Sequence, residues 1–412
     1  MALRLASNHP QRSGTVLATR EGKIISHCLP SQGRFFILNH DKEITTGDLF
    51  VLSYLVRNSY CMHIHDRQTY TVESVTSGHP DKVCDQISDA ILDECLRQDP
   101  MSRVAVETFG SHGHLVIGGE VTTKAKVDYA AIGKKLYKEI GYTKPLDTHV
   151  FVSEQSPDIA MGVNTGGAGD QGIMYGFATK ETKEFLPHGV VLVHKLAERL
   201  QEAREKKEIK WLRPDGKTQI TIHEGKITTV LVSTQHGEKV HQEEIVKTVK
   251  EKIISPIVGA LKGIEVLVNP TGNFVQGGFD ADTGLTGRKI MVDTYGGLIC
   301  HGGGAFSGKD LTKVDRSAAY MCRFVAKNLV ANGYAKDCLV SVAYAIGHID
   351  PLMVHAIDER GKSLASVVKK HFDFRPLAII DRLNLRKPWY LQTAAYGHFG
   401  KKGLPWEEVI KL

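Results

Sequence analysis

The chain has 412 residues, 42% hydrophobic and 24% charged, which exceeds one ordinary domain and excludes disordered or fibrous classes. Its formal net charge of +6 is modest for that length, so an anionic substrate is a sufficient explanation and nucleic acid is not required. No apolar run approaches the ~18 residues of a membrane helix, and the N-terminus lacks the apolar core of a secretory signal. The seven cysteines are odd in number, widely spaced and free of any C-x-x-C pair, which points to a reduced, cytoplasmic protein without structural zinc.

In chain order, Met1 to roughly Tyr70 is rich in His, Arg and Ser, and its best apolar run, Leu49 to Val56, is short. Ser77-Gly78-His79-Pro80-Asp81-Lys82 then opens a helical pattern. Pro80 suits the first helical position, which leaves His79 as the N-cap, with free N–H groups and the helix dipole beside it. Ile87, Ile91 and Cys95 recur as a buried stripe, and Asp85, Asp89 and Asp93 read as a solvated face. Asp81, beside the cap, is the better metal candidate.

Val104 to Thr108 and Leu115 to Thr122 read as a hairpin turning at Ser111-His112-Gly113-His114. It carries Glu107 and Glu120 on otherwise apolar strands, where a lone carboxylate usually faces water. Asp128 to Ile140 is an amphipathic helix ended by Gly141, and Val150-Phe151-Val152 leads into Glu154-Gln155-Ser156-Pro157. Gly167-Ala168-Gly169-Asp170-Gln171-Gly172 fits G-x-G-x-x-G, but the preceding Gly162 to Gly166 is no strand, so a mobile loop beside a site is expected rather than a dinucleotide fingerprint. Val190 to Lys206 is a long helix. Thr218 to His223 and Lys226 to Ser233 form a hairpin through Glu224-Gly225, with Asp215 and Lys217 at its base.

Asn269 to Ala319 is dense in glycine, lysine and aspartate. Glycine lets backbone N–H groups approach an anion, and Arg288, Lys289, Lys309 and Lys313 supply countercharge, a combination that suits a polyphosphate. Asp282, Asp293, Asp310 and Asp315 are hard oxygen donors for Mg²⁺, so the expected ligand is a Mg-nucleotide. Gly303 to Lys309 begins like a P-loop, but Asp310 stands where a Ser or Thr hydroxyl is needed, which removes the mechanism of that motif. Ser317 to Val330 is a helix stopping at Gly333, and Leu339 to Ile346 a strand.

HGGGAFSGKDLTKVDRSAAY, with GLTGRKIMVDTYGG before it, resembles the C-terminal signature of the methionine adenosyltransferase (S-adenosylmethionine synthetase) family, and the similarity runs through most of Thr71 to Trp406. The resemblance implies an α+β fold of three similarly built domains of mixed sheet and helix around a pseudo-threefold axis. The expected boundaries are residues 68–166, 167–273 and 274–412, with 1–67 an unmatched extension. That extension is either a real appendage, such as a small β-rich module with Gly47 in a turn, or upstream sequence ahead of a natural first residue at Met62. Low order is expected for Met1 to Cys61.

The implied reaction is attack of methionine sulfur on C5′ of ATP, with release and hydrolysis of triphosphate. By position, the resemblance makes His79 the partner of the oxygen leaving C5′ and Asp81 and Asp315 the Mg²⁺ ligands. Lys217, Arg288, Lys309 and Lys313 grip the polyphosphate, with Lys289 nearby. Asp215, Phe274 and the backbone of Ala305 contact the nucleotide, with Phe274 packed on adenine. Glu120, Gln155 and Asp282 place methionine, with Lys313 close, Glu107 holds K⁺, and Asp170 lies in the loop near the site. A homodimer with active sites at its interface is implied, with a homotetramer as a further option. Asn273 stands where the family usually has Arg beside the stacking Phe, Ser77 replaces a usual Glu, and the segments around Asn164 and before Val150 are short. An adenylating ligase and a non-catalytic nucleotide-binding subunit are the alternatives.

Overall fold

The computed structural model describes residues 69–154 and 166–412, together with three short strands nearer the N-terminus. The chain divides into two units, Met1–Met62 and His63–Leu412. In the first, β1 (Leu17–Ala18), β2 (Ile24–Cys28) and β3 (Phe35–Phe36) form an antiparallel sheet in that order. Apart from these strands, the stretch for which low order is expected, Met1 to Cys61, and the expected turn at Gly47 lie outside the described residues.

The second unit repeats one pattern three times: a strand, a long helix, a hairpin and a second helix. The first repeat is β4 (Tyr70–Val75), α1 (Pro80–Gln98), β5 (Arg103–Ser111), β6 (His114–Thr122), α2 (Tyr129–Ile140) and β7 (Asp147–Ser153). The second is β8 (Gly172–Thr179), α3 (His188–Glu205), β9 (Leu212–His223), β10 (Lys226–His236), α4 (Gln242–Val249) and β11 (Glu265–Val268). The third is β12 (Gly284–Leu285), α5 (Val314–Ala331), β13 (Asp337–Tyr344), β14 (Met353–Asp358) and α6 (Ala365–His371), followed by α7 (Pro376–Arg382). In the first two repeats the closing strand, β7 or β11, lies parallel to the hairpin's second strand.

The leading strand of each repeat pairs in another repeat's sheet. β4 lies antiparallel on β9, β8 on β13, and β12 on β5. The sheets are therefore β11-β10-β9-β4, β12-β5-β6-β7 and β14-β13-β8. Each long helix packs on its own hairpin and on the guest strand beside it: α1 on β5 and β12, α3 on β9 and β4, α5 on β13 and β8. This cyclic exchange makes the α+β, threefold-repeated architecture a single interlocked body.

Local chemistry sets the ends of these elements. His79 caps α1, its Nδ1 accepting the Asp81 N–H at 3.2 Å, with Pro80 at the first helical position. Asp128 caps α2 through the Ala131 N–H, and Gly141 ends it in the left-handed region at φ 117°. The turns His112-Gly113 (φ 45° and 84°) and Glu224-Gly225 (49° and 74°) have both central residues at positive φ, as two-residue hairpins with the right twist require. Among the described residues no helix is long and apolar enough to cross a membrane.

One expectation is overturned. Asp85, Asp89 and Asp93 are not a solvated face; all three are buried. Asp85 pairs with Lys82 at 2.8 Å, Asp89 forms a two-pronged pair with Arg316 at 2.6 and 2.8 Å, and Asp93 accepts the N–H groups of Tyr390 and Leu391. The side of the helix that carries this polar stripe is covered, so the stripe meets other parts of the chain rather than water.

Candidate active site

The N-terminus of α1 is the floor of the site. His79 is 3% exposed, and its pKa is pushed down to about 2, first by burial and then by Lys289, Lys217, Lys82 and Arg288. Lys289 and Arg288, after β12, reach the Asp81 carboxylate that lies 3.9 Å from His79 Nδ1, and Lys217 of β9 pairs in register with Val75 just ahead of the cap. Because Nδ1 accepts the Asp81 N–H, the neutral ring carries its proton on Nε2.

Asp81, beside it, is 1% exposed and accepts the Leu285 N–H at 3.0 Å. Its carboxylate pairs with Lys289 Nζ at 2.5 Å and lies 3.4 Å from Arg288 Nε. Gly284 allows this approach, since a Cβ there would lie 2.2 Å from the Pro80 carbonyl oxygen. Beneath, Lys82 is fully buried between Asp85 and Asp293. Burial would lower its pKa, but the two carboxylates hold it raised. Burial drives Asp85 up to about 7 and Asp293 upward, against the pull of Lys82. Asp293 is thus a structural partner and not a free metal donor.

The Gly-rich turn forms the second wall. Lys309 Nζ pairs with Asp315 at 2.6 Å, and Lys313 Nζ with Asp310 at 2.5 Å. Asp310 is fully buried, accepts the Val104 N–H at 2.8 Å and so fastens the turn to β5, which removes it too from the expected Mg²⁺ donors. Lys309 bridges to Ala105 of β5, and the Gly308 N–H donates to Asp89. The two walls meet where Gly287 packs against Ala305, a Cβ at Gly287 falling 2.5 Å from that of Ala305. Gly304 lies so close to Asp315 that its own Cβ would sit 2.2 Å from the carboxylate carbon.

The segment 273–282 closes another side. Asp215 of β9 is buried, and its carboxylate accepts the Gly278 N–H at 2.9 Å. Burial raises its pKa to about 6 despite that bond. Its geometry is that of a clamp on the segment. Phe274 is half-buried and held through His236, which accepts its N–H at 3.0 Å. Asn273 and Asp282 are exposed, the Asp282 carboxylate accepting the Thr283 N–H.

Glu107 and Glu120 lie elsewhere. Strand register puts Ala105, Glu120 and Ser153 in one row and Glu107, Gly118 and Phe151 in the next, on the outward face of the β12-β5-β6-β7 sheet. Glu107 is exposed and Glu120 half-exposed, and among the described residues neither carboxylate makes an ion pair or hydrogen bond. Phe109 (42% exposed) and Phe151 (69%) share that face. Asp170 is exposed, and Gln155 lies outside the described residues.

Sequence reasoning missed the supports beneath the site: Lys82 with Asp85 and Asp293, and Asp89 with Arg316. The available signal was the i+4 spacing of Asp85, Asp89 and Asp93, which is equally a buried polar seam.

A neutral imidazole at a helix N-terminus, cations from two sheets and two lysine-balanced carboxylates make an anion-binding centre suited to a polyphosphate group in an α+β enzyme. Comparison with known proteins agrees. Models for the S-adenosylmethionine synthetase N-terminal, central and C-terminal domains match residues 67–161, 165–274 and 276–408. The chain is 53% identical over 378 residues to the S-adenosylmethionine synthase of Kosmotoga olearia, covering 82% of this chain and 96% of that protein. It is 49% identical over 385 residues to that of Clostridium tetani and 48% over 372 to that of Mesoplasma florum, each covering 84% of this chain and 98% of the relative. The chain belongs to the S-adenosylmethionine synthetase family.

Proposed function

We propose that the chain makes S-adenosyl-L-methionine from ATP and L-methionine, the methionine sulfur attacking C5′ of ATP and displacing triphosphate, which the same site hydrolyses to pyrophosphate and phosphate. The observation that carries this reading is the buried His79 at the start of α1, beside the Asp81 carboxylate that Lys289 and Arg288 reach. A thioether attacks without losing a proton, so the first step needs no general base. The difficulty is the negative charge of the departing triphosphate, which preorganised donors and cations stabilise. His79 Nε2–H is the donor for the oxygen leaving C5′. Lys217, Arg288, Lys309 and Lys313 hold the polyphosphate, and Lys289 lies beside them. Phe274 packs on adenine next to Asn273, Asp215 and Ala305 shape the nucleotide side, and Glu120, Gln155 and Asp282 orient methionine.

Asp81 and Asp315 fit Mg²⁺: both offer hard carboxylate oxygens, and each is now balanced by a lysine that a metal could relieve. Mg²⁺ there supplies neutralisation of phosphate charge, and K⁺ at Glu107 a further positive charge. Glu107 and Glu120 stand on an open sheet face with Phe109 and Phe151 exposed around them, which supports a homodimer that completes each site with a second copy through this face. Pairing of dimers into a tetramer is a further step of the same kind. The described cysteines are free, in keeping with a cytoplasmic enzyme.

The test is incubation of the full-length protein with ATP, L-methionine, Mg²⁺ and K⁺, with products separated by chromatography. S-adenosylmethionine, pyrophosphate and phosphate should form, and His79→Ala should lower the rate by about 10²–10³-fold, the cost of removing one preorganised donor. AMP without S-adenosylmethionine would instead mark an adenylating ligase.

A further inference from the structure

We propose that His114, Asp147 and His149 form a site for one zinc-class divalent ion, apart from the lysine-rich centre, at the hairpin-turn end of the same sheet face that the proposed homodimer would use. His114 opens β6, and Asp147 and His149 lie two residues apart at the start of the parallel strand β7. Register pairs His114 with Asp147 and Val116 with His149, so the three side chains occupy the first two rows of one sheet face, next to the hairpin turn. The Asp147 N–H donates to the Gly113 carbonyl at 2.8 Å, which fixes the start of β7 to that turn.

The ligand atoms already converge. Asp147 Oδ2 lies 3.4 Å from His114 Nδ1 and 3.1 Å from His149 Nε2, and all three ligand atoms fall within 4.8 Å of one another. An ion with bonds of about 2.0–2.2 Å sets its donor atoms roughly 3.3 Å apart when tetrahedral and roughly 3.0 Å when octahedral. The two ring centroids are 6.2 Å apart with planes at 25°, so ligation turns the exposed imidazoles to aim both nitrogen lone pairs at one ion. Among the described residues no lysine or arginine pairs with Asp147, which leaves its charge to be met by the imidazoles or by a cation.

Two nitrogens and one oxygen select Zn²⁺, Co²⁺, Ni²⁺ or Cu²⁺ over Mg²⁺, which prefers an all-oxygen shell. All three side chains are exposed in the single chain, so water is available for the remaining positions. The reading of the sequence that set structural zinc aside rested on cysteine spacing, and this site uses none. Its only trace is His-Gly-His at one strand start and Asp-Thr-His at another, which fold-level register alone brings together.

The experiment is titration of the metal-stripped full-length protein with Co²⁺ in excess Mg²⁺, read by visible d–d absorption, then displacement by Zn²⁺. One Co²⁺ per chain should bind without the thiolate charge-transfer band that cysteine would give. His149→Ala should weaken binding by about tenfold or more. His114→Ala with His149→Ala should abolish it, while the far-UV circular dichroism stays unchanged because both residues are exposed. Absence of Co²⁺ binding, or binding that survives the double replacement, would overturn the proposal and leave a carboxylate hydrogen-bonded to two imidazoles.

Discussion

Replacing Asp89 by asparagine removes one charge from a pair that lies under the catalytic turn. Arg316 is 1% exposed and directs both Nη atoms at Asp89, while Nη1 also donates to the carbonyls of Phe306 and Lys309. Asp89 in turn accepts the Gly308 N–H at 2.8 Å. The pair therefore holds the backbone of 306–309 from both sides, and with it Lys309. Asparagine keeps the shape and an acceptor for Gly308 but leaves a guanidinium buried without countercharge. Breaking such a pair from one side costs about 3–5 kcal/mol. Arg316→Met costs a comparable amount by stranding Asp89, and the double variant removes both charges together. It leaves the two carbonyls less well satisfied, about 1–3 kcal/mol each at most, while the Tyr320 and Thr393 hydroxyls lose the guanidinium but keep His398 and the Tyr390 carbonyl. Urea unfolding at neutral pH, followed by far-UV circular dichroism, should show the double variant destabilised by less than the sum of the singles, with a coupling of at least about 1.5 kcal/mol. A single-variant cost below about 1 kcal/mol, or additive costs, would refute the reasoning.

Three further outcomes follow from the same geometry. In Gly304→Ala the new Cβ meets the Asp315 carboxylate, which can swing away, so unfolding should shift little while the Mg²⁺ concentration for half-maximal activity rises several-fold; an unchanged Mg²⁺ dependence would speak against Asp315 as a metal ligand. Burial pushes the Glu407 carboxyl up, but Arg323 and Lys327 more than reverse this and hold it below the usual range. Stability from this group is therefore present above the unfolded pKa of about 4.5 and lost as pH falls through the folded one. Glu407→Gln should be destabilised by roughly 3–5 kcal/mol at pH 7, and the gap should narrow below about pH 4.5 in urea titrations across pH. Asn273→Arg, at an exposed position beside Phe274, should lower the KM for ATP with kcat little changed, and a KM that stays put would remove Asn273 from the nucleotide side.

Elements with local signals were legible before the structure. The Gly-His-Pro cap of α1, the Asp128 and Gly141 ends of α2 and the two Gly-containing hairpin turns all follow from side-chain or φ requirements within a few residues. The rhythm of strand pair and helix was visible as well. What was not visible depends on partners far along the chain. β12 is only two residues long, and its pairing with β5 spans more than 170 positions, from Gly110 to Gly284. The exchange of leading strands between repeats leaves no pattern in hydropathy. For the same reason Asp85, Asp89 and Asp93 read as solvent-facing: their distant partners Gly287, Arg316, Tyr390 and Leu391 converge only after folding. The candidate site was readable by residue type because lysines, glycines and aspartates crowd one segment. Which aspartates are spent on structure, as Asp293 and Asp310 are, could not be read there, since it depends on burial.

The central claim is displacement at C5′, and the position of bond cleavage tests it most directly. ATP labelled with heavy oxygen at the bridge between C5′ and the α-phosphorus, supplied with L-methionine, Mg²⁺ and K⁺, can be followed into products by mass spectrometry. Attack at C5′ carries the label away with triphosphate, so it should appear in pyrophosphate or phosphate and be absent from S-adenosylmethionine. Label retained on the adenosyl group, with AMP among the products, would contradict the account and place the attack at phosphorus.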